Sequence, residues 1–174
     1  VKASSADSMY LLVANAFCAN VSHTLTFDCT GDAATSCLGV IYSVSGMLRT
    51  GTSGAVRQAA KQDNQGATTT PAPAFGANAL TGNPCYGAVF NATSPAGLTP
   101  PSGWTENASA DHGQSTPTCG QESAYINSGF TGTTVTWGST SASAFCSLIA
   151  ELDTSAPDPP PDLWMPPRAD IALR

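Results

Sequence analysis

The side chains that most often carry chemistry are scarce in this chain. Its two histidines are His23, in a polar–apolar alternating segment that predicts a solvent-facing strand position, and His112, in a predicted loop. A nucleophile needs a base held beside it, and neither histidine has a partner that the sequence reveals. The nucleophile-elbow, phosphate-loop, dinucleotide-binding and H-E-x-x-H zinc motifs are absent from the sequence. We therefore expect no catalytic residue and no enzyme activity.

Carboxylates offer two further kinds of site. A glycosidase needs two placed acids, and the three glutamates are Glu106, Glu122 and Glu151. Their expected role is the solvation of a nearly uncharged surface. Asp28 and Asp32, with Asp7 as a further candidate, could hold calcium in a turn, but the order Asp-Cys-Thr-Gly-Asp lacks the ligand density of an EF-hand loop. We expect neither a metal nor a cofactor.

Six cysteines are the remaining chemical signal. An even number without a C-x-x-C pair argues against structural zinc. Disulfides suit a Ser/Thr-rich surface with few ion pairs, which is typical of proteins outside the cell or on a particle. The alternative is that several of the six are buried thiols, and the spacing selects none of the 15 full pairings. The candidates for disulfides are Cys18, Cys29, Cys37, Cys85, Cys119 and Cys146.

Composition excludes three classes of protein. Charged residues make up 10% of the 174 residues and the net charge is −6, without a cluster of Lys or Arg, so we expect no nucleic-acid partner. No apolar run approaches the roughly 18 residues that span a bilayer, so we expect no membrane partner. The three Glu and two Lys are too few for the solvated faces of long helices or coiled coils.

The periodic signal along the chain has period two, which predicts strands. Turn-forming residues separate about seven short strands, a pattern typical of an antiparallel β-sandwich or barrel. Residues 24–44 and 134–152 resemble each other as hairpins and would pack face to face with Phe27 and Trp137 in the core. The alternative is that any two hairpins share this pattern. The predicted strands cover residues 9–14, 22–27, 37–44, 85–90, 120–126, 133–137 and 145–152.

Two segments lack the sequence pattern of strands. Residues 50–79, rich in Ala, Gln, Thr and Pro, predict a long surface excursion from a domain of residues 1–153, with a short helix over 55–61 as an option. Residues 154–174 are Pro-rich and predict an extended, polyproline-like arm. The large apolar side chains of Leu163, Trp164 and Met165 on this arm indicate docking onto a neighbouring subunit. The alternative is that Trp164 folds back onto its own domain.

Several motifs resemble those of a known group of proteins. The Pro-Pro-Ser-Gly-Trp-Thr turn at residues 100–105 is followed by Thr-Val-Thr-Trp at 134–137 and a final apolar strand that ends in an acid. Earlier, Thr-Leu-Thr-Phe at 24–27 precedes a Tyr-Ser-Val-Ser-Gly-Met segment at 42–47. This order, over residues 24–152, resembles β-sandwich proteins of tailed bacteriophages. The resemblance implies a jelly-roll-like virion component, such as a capsid decoration, head-fibre or tail-associated protein.

The sequence therefore predicts a non-enzymatic structural protein on a virion surface or outside the cell. Its expected partners are copies of itself, other virion proteins, or both. The alternative is a carbohydrate-binding or receptor-binding adhesin on the same fold, with a surface glycan as its partner. Such a site stacks sugars on exposed aromatic rings, and the candidates are Trp104, Tyr86 and Tyr125. A competing interpretation of Trp104 is a core residue that locks the turn before it.

Overall fold

In the computed structural model the described residues are 40–42, 44, 46–47, 55–91, 97–107, 112–115, 118–139 and 142–154, with only the backbone described at 64–67, 112–115, 118–119 and 143. These residues form antiparallel sheets and contain no helix, which confirms the all-β prediction. It follows that no helix among them could cross a membrane. The strands are β1 (Val56–Thr68), β2 (Cys85–Asn91), β3 (Leu98–Thr99), β4 (Thr105–Glu106), β5 (His112–Ser115), β6 (Thr118–Ile126), β7 (Gly138–Ser139) and β8 (Ser143–Leu152).

Six of the strands form one sheet in the order β1-β8-β2-β6-β4, and β5 also pairs with β6. Strands β3 and β7 form a separate two-stranded sheet. The centre of the large sheet is β2, in which every second residue from Cys85 to Asn91 is buried. Gly87 lies opposite Ile149 of β8 and Ala124 of β6, so these three residues share one face. We call it the inner face, and the opposite one, which carries Tyr86, the outer face.

A second layer of irregular chain covers the inner face. Its two segments, residues 71–75 and 133–137, run antiparallel to each other. Phe75 donates its amide to Thr133 (2.9 Å), Val135 to Pro73 (3.0 Å) and Trp137 to Pro71 (2.9 Å). Pro71 and Pro73 have no N–H, so they cannot return these bonds, and the ladder is reduced to a single bridge between Ala74 and Thr134.

This half-bonded ladder explains why the predicted strand at 133–137 is only an extended segment. Its period-two pattern nevertheless holds, because Val135 and Trp137 are buried while Thr134 and Thr136 are exposed. The core lies between the two layers, as predicted for Trp137. Its buried apolar members are Phe75, Ala79, Cys85, Val89, Leu98, Trp104, Ala124, Val135, Trp137, Phe145 and Ile149.

The predicted surface excursion over residues 50–79 is wrong where residues 56–68 form β1, and the optional helix over 55–61 is wrong as well. β1 pairs with β8 along most of its length and forms one edge of the sheet. Ala and Gln favour a helix in isolation, but pairing with a buried neighbour strand overrides that preference. The side chain of Gln62 accepts the Ala72 amide and that of Gln58 bonds the Ala77 backbone, so β1 also ties the second layer to the sheet.

Three of the predicted strands are confirmed, and the predicted hairpin at 134–152 is wrong. The predicted strands at 85–90, 120–126 and 145–152 correspond to β2, β6 and β8. β8 pairs with β1 and β2 rather than with 133–137, so residues 134–152 are not a hairpin. Described residues 40–42 and 44 of the predicted strand at 37–44 do not lie in a strand.

Other predictions fall outside the described residues. They concern the strands at 9–14 and 22–27, the core position of Phe27, His23, the calcium candidates Asp7, Asp28 and Asp32, three of the cysteines (Cys18, Cys29 and Cys37), and the arm with Leu163, Trp164 and Met165.

Close packing of Trp137 on the sheet gives a first prediction. A Cβ atom on Gly87 would lie 3.0 Å from Cζ2 of Trp137 and 3.1 Å from Cγ2 of Ile149. Because both neighbours are buried, we expect Gly87→Ala to lower the free energy of unfolding by about 1–3 kcal/mol, measured by urea denaturation. The control is Gly76→Ala, where an added Cβ would meet no atom within 4 Å. Equal stability of the two variants would contradict this packing.

Candidate functional site

A buried carboxylate joins three parts of the fold. Glu151 of β8 is fully buried on the inner face. Four groups donate to it: Arg57 Nη1 (2.5 Å), Gln58 Nε2 (2.5 Å), the Leu80 amide (2.9 Å) and Asn83 Nδ2 (2.7 Å). A register shift in β1 between Val56 and Gln58 is a β-bulge, which lets two consecutive side chains reach the same acceptor.

Hydrogen bonding keeps this carboxylate ionised. Burial alone would raise the pKa of Glu151, but the Leu80 amide and the side chains of Gln58, Asn83 and Arg57 together lower it below the ordinary value of 4.5. Both oxygens of the carboxylate already accept bonds, so Glu151 is poorly suited to act as a base. Its arrangement is that of a structural anchor between β1, β8 and residues 80–83.

The other glutamates do not form a catalytic pair with Glu151. Glu122 is buried on the inner face and accepts the Ser123 amide at 3.0 Å. It lies two strands away from Glu151 and four residue positions further along the strand direction. Sheet spacings put their backbones about 16 Å apart, beyond the roughly 5–9.5 Å between glycosidase carboxyls. Glu106 is exposed in β4, about 8 Å from Glu122 by the same spacings. Neither of these two lines the groove described below.

The remaining chemical candidate, His112, lies in strand β5 opposite Gln121, so its prediction as a loop residue is wrong. Among the side chains that the structure describes, no three His, Cys, Asp or Glu residues are grouped as metal ligands.

The three rings proposed as a glycan platform lie on both sides of the large sheet. Tyr86 and Tyr125 are opposite each other on the outer face, stacked with ring centroids 6.1 Å apart. Tyr42 covers them, with its ring centroid 4.9 Å from that of Tyr86 and 6.1 Å from that of Tyr125. Burial raises the pKa of both Tyr42 and Tyr86. Trp104 belongs to the core beneath the second layer, so the three rings cannot share one sugar.

Trp104 is a turn-locked core residue. Only 8% of it is exposed, and its ring packs edge-on against Phe130 with centroids 5.7 Å apart. Its amide donates to the Pro101 carbonyl at 3.0 Å and closes a four-residue turn. Gly103 has a φ of 79° in this turn, a conformation that glycine adopts without strain. The ring face that sugar stacking needs is therefore not available.

A groove of about 470 Å³ opens between this turn and the second layer. Its walls combine aromatic and proline rings with hydroxyl groups, and none of the described lining residues is charged. Trp137 in its wall has a buried indole N–H for which the described residues provide no hydrogen-bond acceptor. The lining residues are Thr70, Thr99, Pro100, Pro101, Ser102, Trp104, Phe130, Thr134, Val135, Thr136, Trp137 and Gly138.

The outer edge of β1 is the second open feature. In the described parts of the chain, no strand pairs with this edge. Ala59, Lys61 and Asp63 alternate with inward residues and are exposed. The 13 residues of β1 make it the longest described strand. Sheet edges of this kind offer a row of backbone donors and acceptors to another chain.

Cys85 and Cys146 are thiols in the structure, so the predicted disulfides are not found at these two positions. Cys85 lies opposite Glu151, and Cys146 is five positions away on that same strand, pointing to the other face. This separates them by about 17 Å, beyond the roughly 7 Å between Cα atoms that a disulfide can bridge. Cys119 lies in β6 among the residues with only a described backbone.

Sequence reasoning missed the partners of Glu151. Arg57, Gln58 and Asn83 come from segments distant in sequence, and the bulge that brings Arg57 inward has no marker in the sequence. One signal was present: Glu151 interrupts the apolar run Leu-Ile-Ala-Glu-Leu. A carboxylate at a buried strand position requires donors around it.

Comparison with known proteins finds no matching family, no matching curated protein and no matching solved structure. The resemblance of residues 24–152 to phage virion proteins therefore stays a prediction from motifs. The described geometry offers two surfaces on which a function can be built, the edge of β1 and the groove beside Trp137.

The Glu151 anchor predicts a pH-dependent loss of stability. We expect Glu151→Gln to lower the free energy of unfolding at pH 7 by about 1–3 kcal/mol, because the glutamine NH₂ group would face buried donors that the carboxylate now accepts from. The pKa of Glu151 is lower in the folded protein than in the unfolded chain. The carboxylate therefore stabilises the fold fully at pH values above the unfolded-state pKa, and this stabilisation is lost as the pH falls through the folded-state pKa. Urea denaturation between pH 7 and pH 2 should therefore show the two proteins converging in acid.

Glu106→Gln, which removes an exposed carboxylate, is the control and should change stability little. If Glu151→Gln matched the wild type at pH 7, Glu151 would not be the anchor described.

Cysteine labelling tests the thiol assignment. Burial, followed by the nearby negative charge of Glu151, raises the pKa of the Cys85 thiol to about 12, with Arg57 acting in the opposite direction. Cys146 is equally inaccessible to solvent. We expect both residues to resist a thiol reagent in the native protein and to react after unfolding without a reductant, as read by peptide mass spectrometry. Recovery of either residue in a disulfide would overturn the assignment.

Proposed function

We propose that this chain is a non-enzymatic structural protein that works by packing against copies of itself and against other proteins of a virus particle. The part of the proposal that concerns a virus particle depends on the resemblance to virion proteins of tailed bacteriophages. That resemblance favours a decoration, head-fibre or tail-associated role on the particle surface. In this proposal the domain is a jelly-roll-like sandwich, and residues 154–174 form a Pro-rich arm that binds a neighbour. The all-β, antiparallel fold is compatible with it.

The observation that carries the proposal is the outer edge of β1. Proteins that stay monomeric protect sheet edges with short strands, prolines, β-bulges, or charges that repel a second copy. β1 has no proline, and between the register shifts at its two ends residues 58–64 pair regularly with β8, so seven consecutive residues of this edge are free of bulges. Its exposed charges Lys61 and Asp63 have opposite signs, so they do not exclude a partner that presents the same two charges in reverse.

A second copy of β1 presents those charges in reverse. In an antiparallel pair with two-fold symmetry about Gln62, Lys61 of each copy lies opposite Asp63 of the other. Shifting the axis to Lys61 would place the two lysines opposite each other, which is unfavourable. The register about Gln62 is therefore the one that the edge selects, and it joins two sheets into one continuous sheet.

The composition of the surface supports the same role. Charged residues make up 10% of the chain. Hydroxyl and amide groups lose less free energy than ions when they leave water, so broad polar surfaces of this kind can pack together at modest cost.

The adhesin alternative has less support. Its three candidate rings are divided between the two faces of the large sheet, Trp104 is buried, and Tyr42 covers the tyrosine pair.

Reversing one edge charge tests the proposal. Asp63→Lys places two lysines opposite each other twice per dimer, and we expect it to weaken association about tenfold, equivalent to about 1.4 kcal/mol. The double variant Lys61→Asp/Asp63→Lys restores both opposite-charge pairs and should restore association. Glu106→Lys makes the same change of charge on exposed β4 and should have no effect.

The measurement is molar mass by size-exclusion chromatography with light scattering over a range of concentrations. A wild-type monomer at every concentration would overturn the assembly role. Association that is indifferent to Asp63→Lys would overturn the use of the β1 edge.

A further inference from the structure

We infer that pairing through β1 gives a closed, two-sided unit of two copies. Both second layers lie on one side of the joined sheet and both outer faces lie on the other, and no third copy adds to the sheet. The arrangement rests on the proposed assembly role and specifies how the two copies are placed. Three features support it: the direction of the backbone groups on β1, the pleat of the sheet, and the short strands at its far edge.

The hydrogen bonds of β8 show which neighbouring strand each of its residues faces. The amide of Leu152 donates to Pro84 on the β2 side (2.9 Å), and that of Asp153 donates to Ala55 on the β1 side (2.8 Å). Successive residues of an antiparallel strand bond to opposite neighbours. The odd-numbered residues of β8 therefore bond to β1, where they lie opposite even-numbered residues such as Gln62.

The same alternation fixes which backbone groups of β1 face outward. Gln62 uses its N–H and C=O toward β8, so those of Lys61 and Asp63 point away from the sheet. A two-fold axis through Gln62 sets Lys61 of each copy opposite Asp63 of the other, and each such pair exchanges two backbone hydrogen bonds. An axis between two residues would set an outward group opposite an inward one. The ladder therefore supports the register that the charges select.

The pleat of the sheet decides how the two copies face. In an antiparallel pair the two-fold axis is perpendicular to the sheet, so the inner faces of both copies lie on the same side. A parallel pair of the same two edges would need an axis along the strands, which turns one sheet over. Side chains at equal height would then point to opposite faces, and the pleats would not match. The pair therefore has two second layers on one side and two outer faces, with Tyr86, on the other.

The far edge of the sheet offers little for a third copy to pair with. In the parts of the chain that the structure describes, this edge consists of β4, with two residues, and β5, with four. Short strands of this kind are one way in which proteins protect sheet edges. A second β1, with its regular stretch of residues 58–64, matches β1 better than this edge does. Such a closed unit suits a protein that covers a surface rather than one that grows into a filament.

Engineered disulfides in the full-length protein test the arrangement. Residues opposed at a non-hydrogen-bonded position have Cα atoms about 4.5 Å apart, which a disulfide can bridge. We expect Gln62→Cys, treated with oxidised glutathione at concentrations where the wild type is dimeric, to give mainly dimers linked through residue 62, read by peptide mass spectrometry without reductant. Lys61→Cys is the matched control, because sheet spacings place the two copies of residue 61 about 8 Å apart and they should not link.

A second pair of positions covers the case in which Gln62→Cys folds poorly, since that variant loses the side-chain bond to the Ala72 amide. Residues 60 and 64 oppose each other across the copies in the same register and are also non-hydrogen-bonded. An equimolar mixture of Ala60→Cys and Asn64→Cys proteins should therefore give mixed linked dimers. Either protein alone should not link through these positions.

The outcomes separate the arrangement from the proposed function. Association by light scattering without a link at residue 62 or in the 60–64 mixture would overturn the antiparallel pair while an assembly role stands. Linking of Lys61→Cys would move the axis and overturn the register. A wild type that never associates would overturn both proposals.

Amide exchange tests whether the unit is closed. In the purified dimer linked through residue 62, exchange along residues 112–115 should stay constant as the protein is concentrated, because β5 gains no partner. Exchange in this segment that slows with concentration would show a further copy on the far edge and would overturn the closed unit.

Discussion

The fold depends on one buried carboxylate. Glu151 lies in a largely apolar strand, and within the described part of the chain its negative charge is compensated by donors from β1 and from residues 80–83. An unpaired buried charge would cost several kcal/mol. The carboxylate can therefore be buried only when its hydrogen bonds with the four donors are made. This requirement fixes β1 against β8 as the sheet edge, and it fixes the chain that leads from the second layer back into β2. The edge of β1 that is proposed for assembly is held in place by it.

The second layer is irregular for a reason that also makes the groove. Pro71 and Pro73 cannot donate to residues 133–137, so this pair of segments keeps the burial pattern of a strand pair with fewer hydrogen bonds. Trp137 compensates by packing directly on the backbone of β2 at Gly87, where no side chain intervenes. The turn that ends in Trp104 closes the other side of the groove. An open, uncharged groove with proline and aromatic walls results from this packing.

Sequence reasoning succeeded where local pattern decides structure and failed where distant pairing does. The strands that became β2, β6 and β8 have apolar or alternating segments bounded by turns, and Trp137 and Trp104 lie in the core. β1 was missed because Ala, Gln and Lys favour helices and surfaces, and only pairing with β8 makes them a strand. The predicted hairpin at 134–152 is wrong because residues 133–137 bond to residues 71–75, which contain Pro71 and Pro73, and not to β8. The donors to Glu151 could not be predicted, since they converge through a bulge and a register that no local motif encodes.

Pairing of β1 with a second copy is the central claim, and amide hydrogen exchange along residues 56–68 measures it directly. Every second backbone N–H of an edge strand points away from its own sheet and exchanges readily unless another strand accepts it. The account predicts that exchange in this segment slows as the protein is concentrated from the nanomolar to the high micromolar range, while exchange in central strand β2 stays constant. Exchange along 56–68 that is the same at both extremes would contradict it.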